Sequence, residues 1–192
     1  IRTSQSVYPV ETTLFQQAIV SSADRLAVNG TYAGADGFTF EGKSDGITML
    51  TDMVGNQYRI AKNLHLRVQA KEQQSRHNKT KALTSGNFLT AGILHGTAPA
   101  NQSYEYMIML KPSPVETNRW KTAPAYQVVR ADSVAHAVYD SVSGVNSWVC
   151  FETLNASSGL LRYADAETMV MYQQTDNALL VSLCDPALNF PE

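Results

Sequence analysis

Residues 84–112 read TSGNFLTAGILHGTAPANQSYEYMIMLKP, and no other stretch limits the possible folds of this chain so strongly. Two extended runs, 87–95 and 103–111, flank a Gly/Pro/Asn loop and read as the arms of a hairpin. In the first arm Phe88 and Leu94 share one alternating face, while Leu89, Ala91 and Ile93 share the other. The second arm sets Tyr104, Tyr106, Ile108 and Leu110 against Met107 and Met109. A strand with one wet face alternates cleanly, so apolar residues on both faces predict a sheet covered on both sides. The hairpin is expected at the core of a stacked β-structure.

The remainder of the chain also reads as strands. Segments 12–18, 25–28, 38–40, 47–51, 57–61 and 64–70 precede the hairpin. Turn signals separate them at Asn29-Gly30, Gly34 to Gly37 and Val54-Gly55-Asn56. In 64–70 Leu64, Leu66 and Val68 alternate with His65, Arg67 and Gln69, which predicts a half-buried strand with its basic side outward. Residues 71–81, KEQQSRHNKTK, lack any apolar side chain and are expected to form a mobile surface loop. Residues 112–124 read as a Pro-punctuated connection around Trp120. Short strands follow at 126–131, 135–139, 147–152, 159–163, 168–174 and 179–184. Spacing of roughly 8–12 residues with turns between them is the pattern of a sandwich or barrel. The fold class is therefore all-β, with antiparallel stacked sheets, and the tail DPALNFPE reads as a linker.

Charged residues make up 17% of the chain, below the roughly 25% usual in soluble domains, and Ser, Thr, Asn and Gln stand in their place. That composition is common in exported β-proteins. No apolar run approaches the roughly 18 residues of a membrane span. The chain begins at Ile1 with no signal peptide, so the expectation is an excised piece of a longer protein. Cys150 and Cys184 lie in apolar runs and are expected as buried free thiols, although pairing is left open. No CxxC or HxxxH spacing is present to build a metal site.

The net charge of −2 is unevenly spread. Arg59, Lys62, Arg67, Lys71, Arg76, Lys79 and Lys81 are seven of the fifteen Lys and Arg residues, and Glu72 is the single acid among them. The segment carries +6 and the rest of the chain −8. Such a cluster can attract a polyanion, or it can guard a strand edge against aggregation.

Catalytic chemistry is harder to find. His95, at a strand end before Gly96, could act as a base, but it reads rather as a structural residue bonded to the loop that follows. His65 and His77 are expected to be exposed, and His136 to be packed. Glu105, Glu116, Glu152 and Glu167 are scattered and show no pairing. No phosphate loop or GxSxG elbow occurs. The N-x-S/T sequons at Asn29, Asn78, Asn101 and Asn155 are expected by chance in so Asn-rich a chain.

The stretch SGNFLTAGILHGTAPANQSYEYMIMLKP resembles the β-domain signature of polysaccharide lyase family 8, the chondroitin, hyaluronan and xanthan lyases. VETTLFQQAI, DMVGNQYRI, YQVVRAD and LLVSLCDPALN follow the family order, most like the bacterial chondroitin sulfate ABC lyases, and cover nearly the whole chain. The resemblance implies a β-supersandwich portion over residues 1–184 and, at 185–192, a linker toward an absent C-terminal β-sandwich. It implies part of a secreted or periplasmic enzyme that cleaves glycosaminoglycans (chondroitin or dermatan sulfate, with hyaluronan a further candidate) by β-elimination, with neither cofactor nor metal. In the family the catalytic tyrosine, histidine and arginine belong to a helical toroid, and a glutamate comes from an early part of the β-domain. No catalytic residue is therefore assigned here, and this piece alone is expected to be inactive. Its expected partners are an anionic polysaccharide and the missing helical domain, not nucleic acid or membrane. Arg67, Lys71, Arg76, Lys79 and Lys81 are the candidate substrate-binding residues. The alternative is a non-catalytic β-sandwich that binds sulfated polysaccharide through residues 59–81, and a purely structural β-module is the third reading.

Overall fold

A computed structural model describes residues 8–21, 23–33, 37–44, 48–100 and 102–186. The chain divides into two compact units between Lys121 and Thr122. The first holds β1 (Pro9–Ala18), β2 (Leu26–Val28), β3 (Thr31–Ala33), β4 (Thr39–Lys43), β5 (Thr48–Thr51), β6 (Gln57–Ile60), β7 (His65–Arg76), β8 (Leu83–Thr97) and β9 (Tyr106–Met109), followed by α1 (Pro114–Thr122). The second holds β10 (Tyr126–Ala131), β11 (Ala135–Asp140), β12 (Val145–Cys150), β13 (Leu154–Asn155), β14 (Tyr163–Ala164), β15 (Thr168–Gln174) and β16 (Leu179–Cys184). All pairings among the described residues are antiparallel. The expected all-β fold class is observed.

In the first unit the strands form two sheets, ordered β1-β8-β7-β4 and β3-β2-β5-β6-β9. Their facing sides share one core: Phe15, Leu66, Val68, Leu89, Ala91 and Ile93 meet Leu26, Leu50, Tyr58 and Ile60. Each large aliphatic side chain fully buried here contributes roughly 1.5–3 kcal/mol. Asn29 and Gly30 both take positive φ, 51° and 82°, and close the β2–β3 hairpin as the Asn-Gly signal requires.

The central stretch is not a hairpin. β8 runs between β1 and β7, whereas β9 crosses to the other sheet and pairs with β6. Nor is β8 covered on both sides. Leu89, Ala91 and Ile93 are buried, whereas on the opposite face Phe88, Thr90 and Leu94 are half-buried and only Gly92, beneath the Glu11 side chain, is buried. Two apolar residues separated by Thr90 and Gly92 do not make a continuous apolar stripe, so that face does not need a second layer.

Residues 71–76 are not a loop either. β7 pairs with β8 without interruption from His65↔Leu94 to Arg76↔Leu83. Beyond Lys71 the pair continues as a two-stranded ribbon, and residues 77–82 turn at its tip. The lack of apolar residues says only that nothing there is buried; the backbone ladder satisfies the strand without a core.

A buried carboxylate links the two sheets. Asp52, 3% exposed, accepts the N–H groups of Val54 (3.0 Å) and Asn56 (2.8 Å), which shapes the β5–β6 turn. It also accepts from Asn56 Nδ2 (3.0 Å), Tyr58 Oη (3.3 Å) and, from β1, Gln17 Nε2 (3.1 Å). Burial, with the negative Asp52 beside it, pushes the Tyr58 phenol up to about 12.

Where a bare connection is expected, α1 forms. Ser113 and Glu116 make a capping box: the Ser113 N–H and Oγ donate to Glu116 Oε2 at 2.8 and 2.7 Å, and the Glu116 N–H donates back to Ser113 Oγ at 3.3 Å. These bonds hold the Glu116 carboxyl below its usual range. Pro114 occupies the first helical position, where no N–H is needed. The helix buries no residue.

In the second unit a sheet ordered β10-β11-β12-β15-β16 packs one face against the β13–β14 pair. The small residues Ala135 and Ala137 stand opposite Cys150 and Trp148, leaving room for the indole. Two side-chain expectations fail here. Cys184 is exposed on β16, whose residues are all exposed, and it stands on the opposite face from buried Cys150. The two thiols are free, and burial pushes that of Cys150 up. His136 is exposed rather than packed, with its ring edge-on to Phe151 at 5.0 Å. The tail after Pro186, the turn at 34–36 and the sequon Asn101 lie outside the described residues.

Two stability predictions follow from the capping carboxylates. Asp52→Ala removes a buried acceptor from the β5–β6 turn, so urea unfolding should show a loss of about 2–4 kcal/mol. Asp132 accepts the N–H groups of Val134 and Ala135 at 2.8 and 2.9 Å and pairs with Arg130 Nε at 2.6 Å. The Ala135 N–H, then Arg130, lower its carboxyl to about 2. A depressed carboxylate stabilises the fold above its unfolded value near 4, and that contribution disappears as the pH falls toward 2. Acid titration of Asp132→Asn, followed by circular dichroism, should therefore show a shallower loss of stability between pH 4 and 2 than the parent.

Candidate anion-binding surface

Strict alternation along β7 sorts the five candidate cations. Arg67 and Lys71 project to the open face of their sheet, together with His65, Gln69 and Gln73. Arg76 projects to the opposite side, where Nη1 donates to the Lys81 carbonyl at 3.2 Å. Lys79 and Lys81 lie in the exposed tip. The tip is held by the His77 N–H donating to the Ala82 carbonyl (2.8 Å) and the Lys81 N–H donating to the His77 carbonyl (2.9 Å). The Thr80 N–H also donates to His77 Nδ1 at 3.2 Å. The five therefore share one ribbon but not one face. Arg59, which sequence counting includes in the basic segment, is buried on β6 and adds nothing to the surface.

Arg67 is already engaged. Its Nη2 is ion-paired with Glu11 Oε2 of β1, although β8 runs between the two strands. Gly92 permits the crossing: a Cβ there would collide with the Glu11 carboxylate, which occupies the space that any other residue would fill. Glu41 lies on the far side, 3.7 Å from His65 Nε2. The Arg67 end of the open face is thus a mixed-charge lattice, while the Lys71 end and the ribbon keep their positive charge. Sequence reading grouped Arg67 with the lysines because its partner is fifty-six residues away in the chain.

Among the described residues, His95 bonds to β1 rather than to the loop that follows it. Its Nε2 lies 2.8 Å from Thr12 Oγ1 on β1, and its ring packs at 4.9 Å on Tyr104, which stacks at 6.2 Å on Tyr106. The tyrosines pack against the core between the sheets, which gives this histidine a structural environment. Among the described residues no three His, Cys, Asp or Glu side chains come together as a metal site. In the second unit, a cleft of about 660 Å³ beside β14 and β15 is lined by Asp165, Glu167 and Asp185, a charge set that disfavours an anion.

Comparison with known proteins places these features in context. The chain is 30% identical over 194 residues to the chondroitin sulfate ABC endolyase of Proteus vulgaris, a match covering 98% of this chain and 19% of that protein. It is 28% identical over 190 residues to the chondroitin sulfate ABC exolyase of Bacteroides thetaiotaomicron, covering 94% and 17%. The chain is related to the chondroitin sulfate ABC lyases. It spans about a fifth of the length of these relatives. A chondroitinase AC lyase shares the fold at a TM-score of 0.79 and 18% identity, covering 97% of this chain and 28% of that one. A Paenibacillus xanthan lyase does so at 0.72 and 21%, covering 88% and 17%. No protein-family model matches the chain.

The Glu11–Gly92–Arg67 arrangement is testable by a double-mutant cycle. Alanine is favoured over glycine in a strand by roughly 0.5–1 kcal/mol, while an exposed ion pair contributes about 0–1. Gly92→Ala should thus be nearly neutral in the parent, where it displaces Glu11, and stabilising in a Glu11→Ala background. Equal effects in both backgrounds would remove Gly92 from this role.

Proposed function

We propose that this chain is the β-region of a glycosaminoglycan lyase, supporting the substrate cleft and supplying none of the groups that carry the elimination. The match to the Proteus endolyase supports this reading because it runs through nearly the whole chain rather than one motif. β-Elimination needs a base for the proton beside the uronate carboxylate, groups that stabilise the developing anion, and an acid for the leaving oxygen. The site residues described above do not compose that set: His95 is tied to Thr12 and Tyr104, and Arg67 to Glu11. On this reading residues 1–184 are part of a larger stack of sheets, 185–192 lead out of it, and the parent enzyme is secreted or periplasmic. Chondroitin or dermatan sulfate is the proposed substrate of that parent.

A second reading is a non-catalytic module that holds sulfated polysaccharide through the 59–81 segment. It draws on the charge of the ribbon, where Lys71, Arg76, Lys79 and Lys81 face a single acid, Glu72.

Two measurements test the first reading. The 192-residue chain, incubated with chondroitin sulfate, should produce no unsaturated-uronate absorbance; a steady rise overturns the non-catalytic assignment. Substituted for the matching segment of the Proteus endolyase, it should give a folded chimera that still eliminates. A folded chimera without activity counts against the assignment to the β-region.

A further inference from the structure

We propose that the open face at the base of the β7–β8 ribbon binds an acidic polysaccharide, with Phe88 as platform for a sugar ring and Lys71 as partner of its acidic group. The choice of an acidic polysaccharide rests on the lyase reading above; the location rests on the geometry of this face.

Register places Lys71 opposite Phe88 and Gln69 opposite Thr90, with Gln73 opposite Gly86. From the other side β1 sets Gln16 opposite Thr90, and Gln16 Nε2 donates to Gln73 Oε1 at 3.0 Å. The Phe88 ring leans along its strand, since a Cβ on Gly86 would lie 3.2 Å from its Cε2. A half-buried ring therefore rests over bare backbone, bordered by amides, a hydroxyl and one exposed ammonium.

From Gln69 and Thr90 out to the ribbon tip, this face carries no carboxylate among the described residues; Glu72 projects to the opposite side. The carboxylates begin only at Arg67, with Glu11 and Glu41. An anion approaching Lys71 thus meets a cation with no competing carboxylate among the described residues, unlike one approaching Arg67.

The side-chain types select the ligand. A pyranose presents C–H groups on its ring face, which an aromatic surface removes from water, and hydroxyls around its rim. Primary amides both donate and accept, as those hydroxyls require. Lys71 supplies a charge-assisted bond to a carboxylate or sulfate. A single strand of nucleic acid carries a charge every ~3.4 Å and calls for a denser row of cations. One ammonium among three amides suits a chain rich in hydroxyls with sparser charge.

The test is calorimetric titration of the 192-residue chain with a size-defined chondroitin sulfate oligosaccharide, with neutral dextran and oligo-dT as comparators. Binding of the sulfated oligosaccharide, with little response to either comparator, is expected. Phe88→Ala and Lys71→Gln should each weaken binding about tenfold. The paired change of Lys79→Gln and Lys81→Gln at the tip should weaken it about twofold or less at moderate salt. Gln73→Ala, at a site with no part in the core, should also weaken binding, so the test does not hang on Phe88→Ala remaining folded. Four outcomes overturn the proposal: no binding by the parent, full binding by the Lys71 and Gln73 variants, loss confined to the tip variant, or oligo-dT binding as tight as the oligosaccharide. None of these affects the chimera result, so failure here is distinguishable from failure of the lyase reading.

Discussion

The uninterrupted pairing of β7 with β8 is the constraint on which the first unit depends. Because no bulge intervenes between His65↔Leu94 and Arg76↔Leu83, one choice of register decides every face at once. It sends Leu66, Val68, Leu89, Ala91 and Ile93 inward as a single buried stripe, and Arg67, Lys71 and Phe88 outward. A slip by one residue would bury Arg67 and expose Leu66. The buried half holds the register, and the ribbon beyond it inherits that order without a core of its own. The charged surface is thus positioned by hydrophobic packing some distance along the same two strands.

Burial alone would leave the two sheets free to slide, because apolar contact is non-directional. Directional bonds come from the buried Asp52, whose carboxylate gathers donors from the β5–β6 turn and from Gln17 on β1. Ser44 acts similarly at the end of β4: its Oγ donates to the Ala61 carbonyl at 2.7 Å and accepts the Leu64 N–H at 2.9 Å. Ser44 clasps a chain crossing between sheets, whereas Asp52 holds a turn within one sheet and bonds from there to a strand of the other. A polar group so placed helps only when fully satisfied, and each of these is.

Much of the fold was legible because turns and alternation are local signals. The Asn29-Gly30 and Val54-Gly55-Asn56 turns, and strands such as 168–174, stand where the pattern put them. What misled was partner choice. The runs that became β8 and β9 are adjacent in sequence, so a hairpin was the economical reading, yet tertiary pairing sends them to different sheets. The ribbon was mistaken for a loop because hydrophobic periodicity reports burial, and a strand can be held by its partner's backbone instead. The helix was recoverable: Ser113-Pro114-Val115-Glu116 spells both a capping box and a proline at the first helical position. Within the candidate site, the charge cluster was visible, but the Glu11–Arg67 pairing through Gly92 depends on three strands meeting, and no local signal carries that.

Two of the exposed edges among the described strands, β16 and the ribbon, differ in the charge they carry. β16 exposes Leu179, Leu180, Val181 and Leu183 with no charge among them. The ribbon carries almost nothing apolar and a surplus of lysine and arginine. Flat apolar edges are what recruit stray strands, so edge protection calls for charge beside apolar backbone. Charge instead gathers where the backbone is already paired and little apolar surface is at risk. On the proposed reading the ribbon lysines serve recognition, and the recognising face lies where, among the described residues, Lys71 stands apart from the Glu11 and Glu41 carboxylates that engage Arg67 and His65.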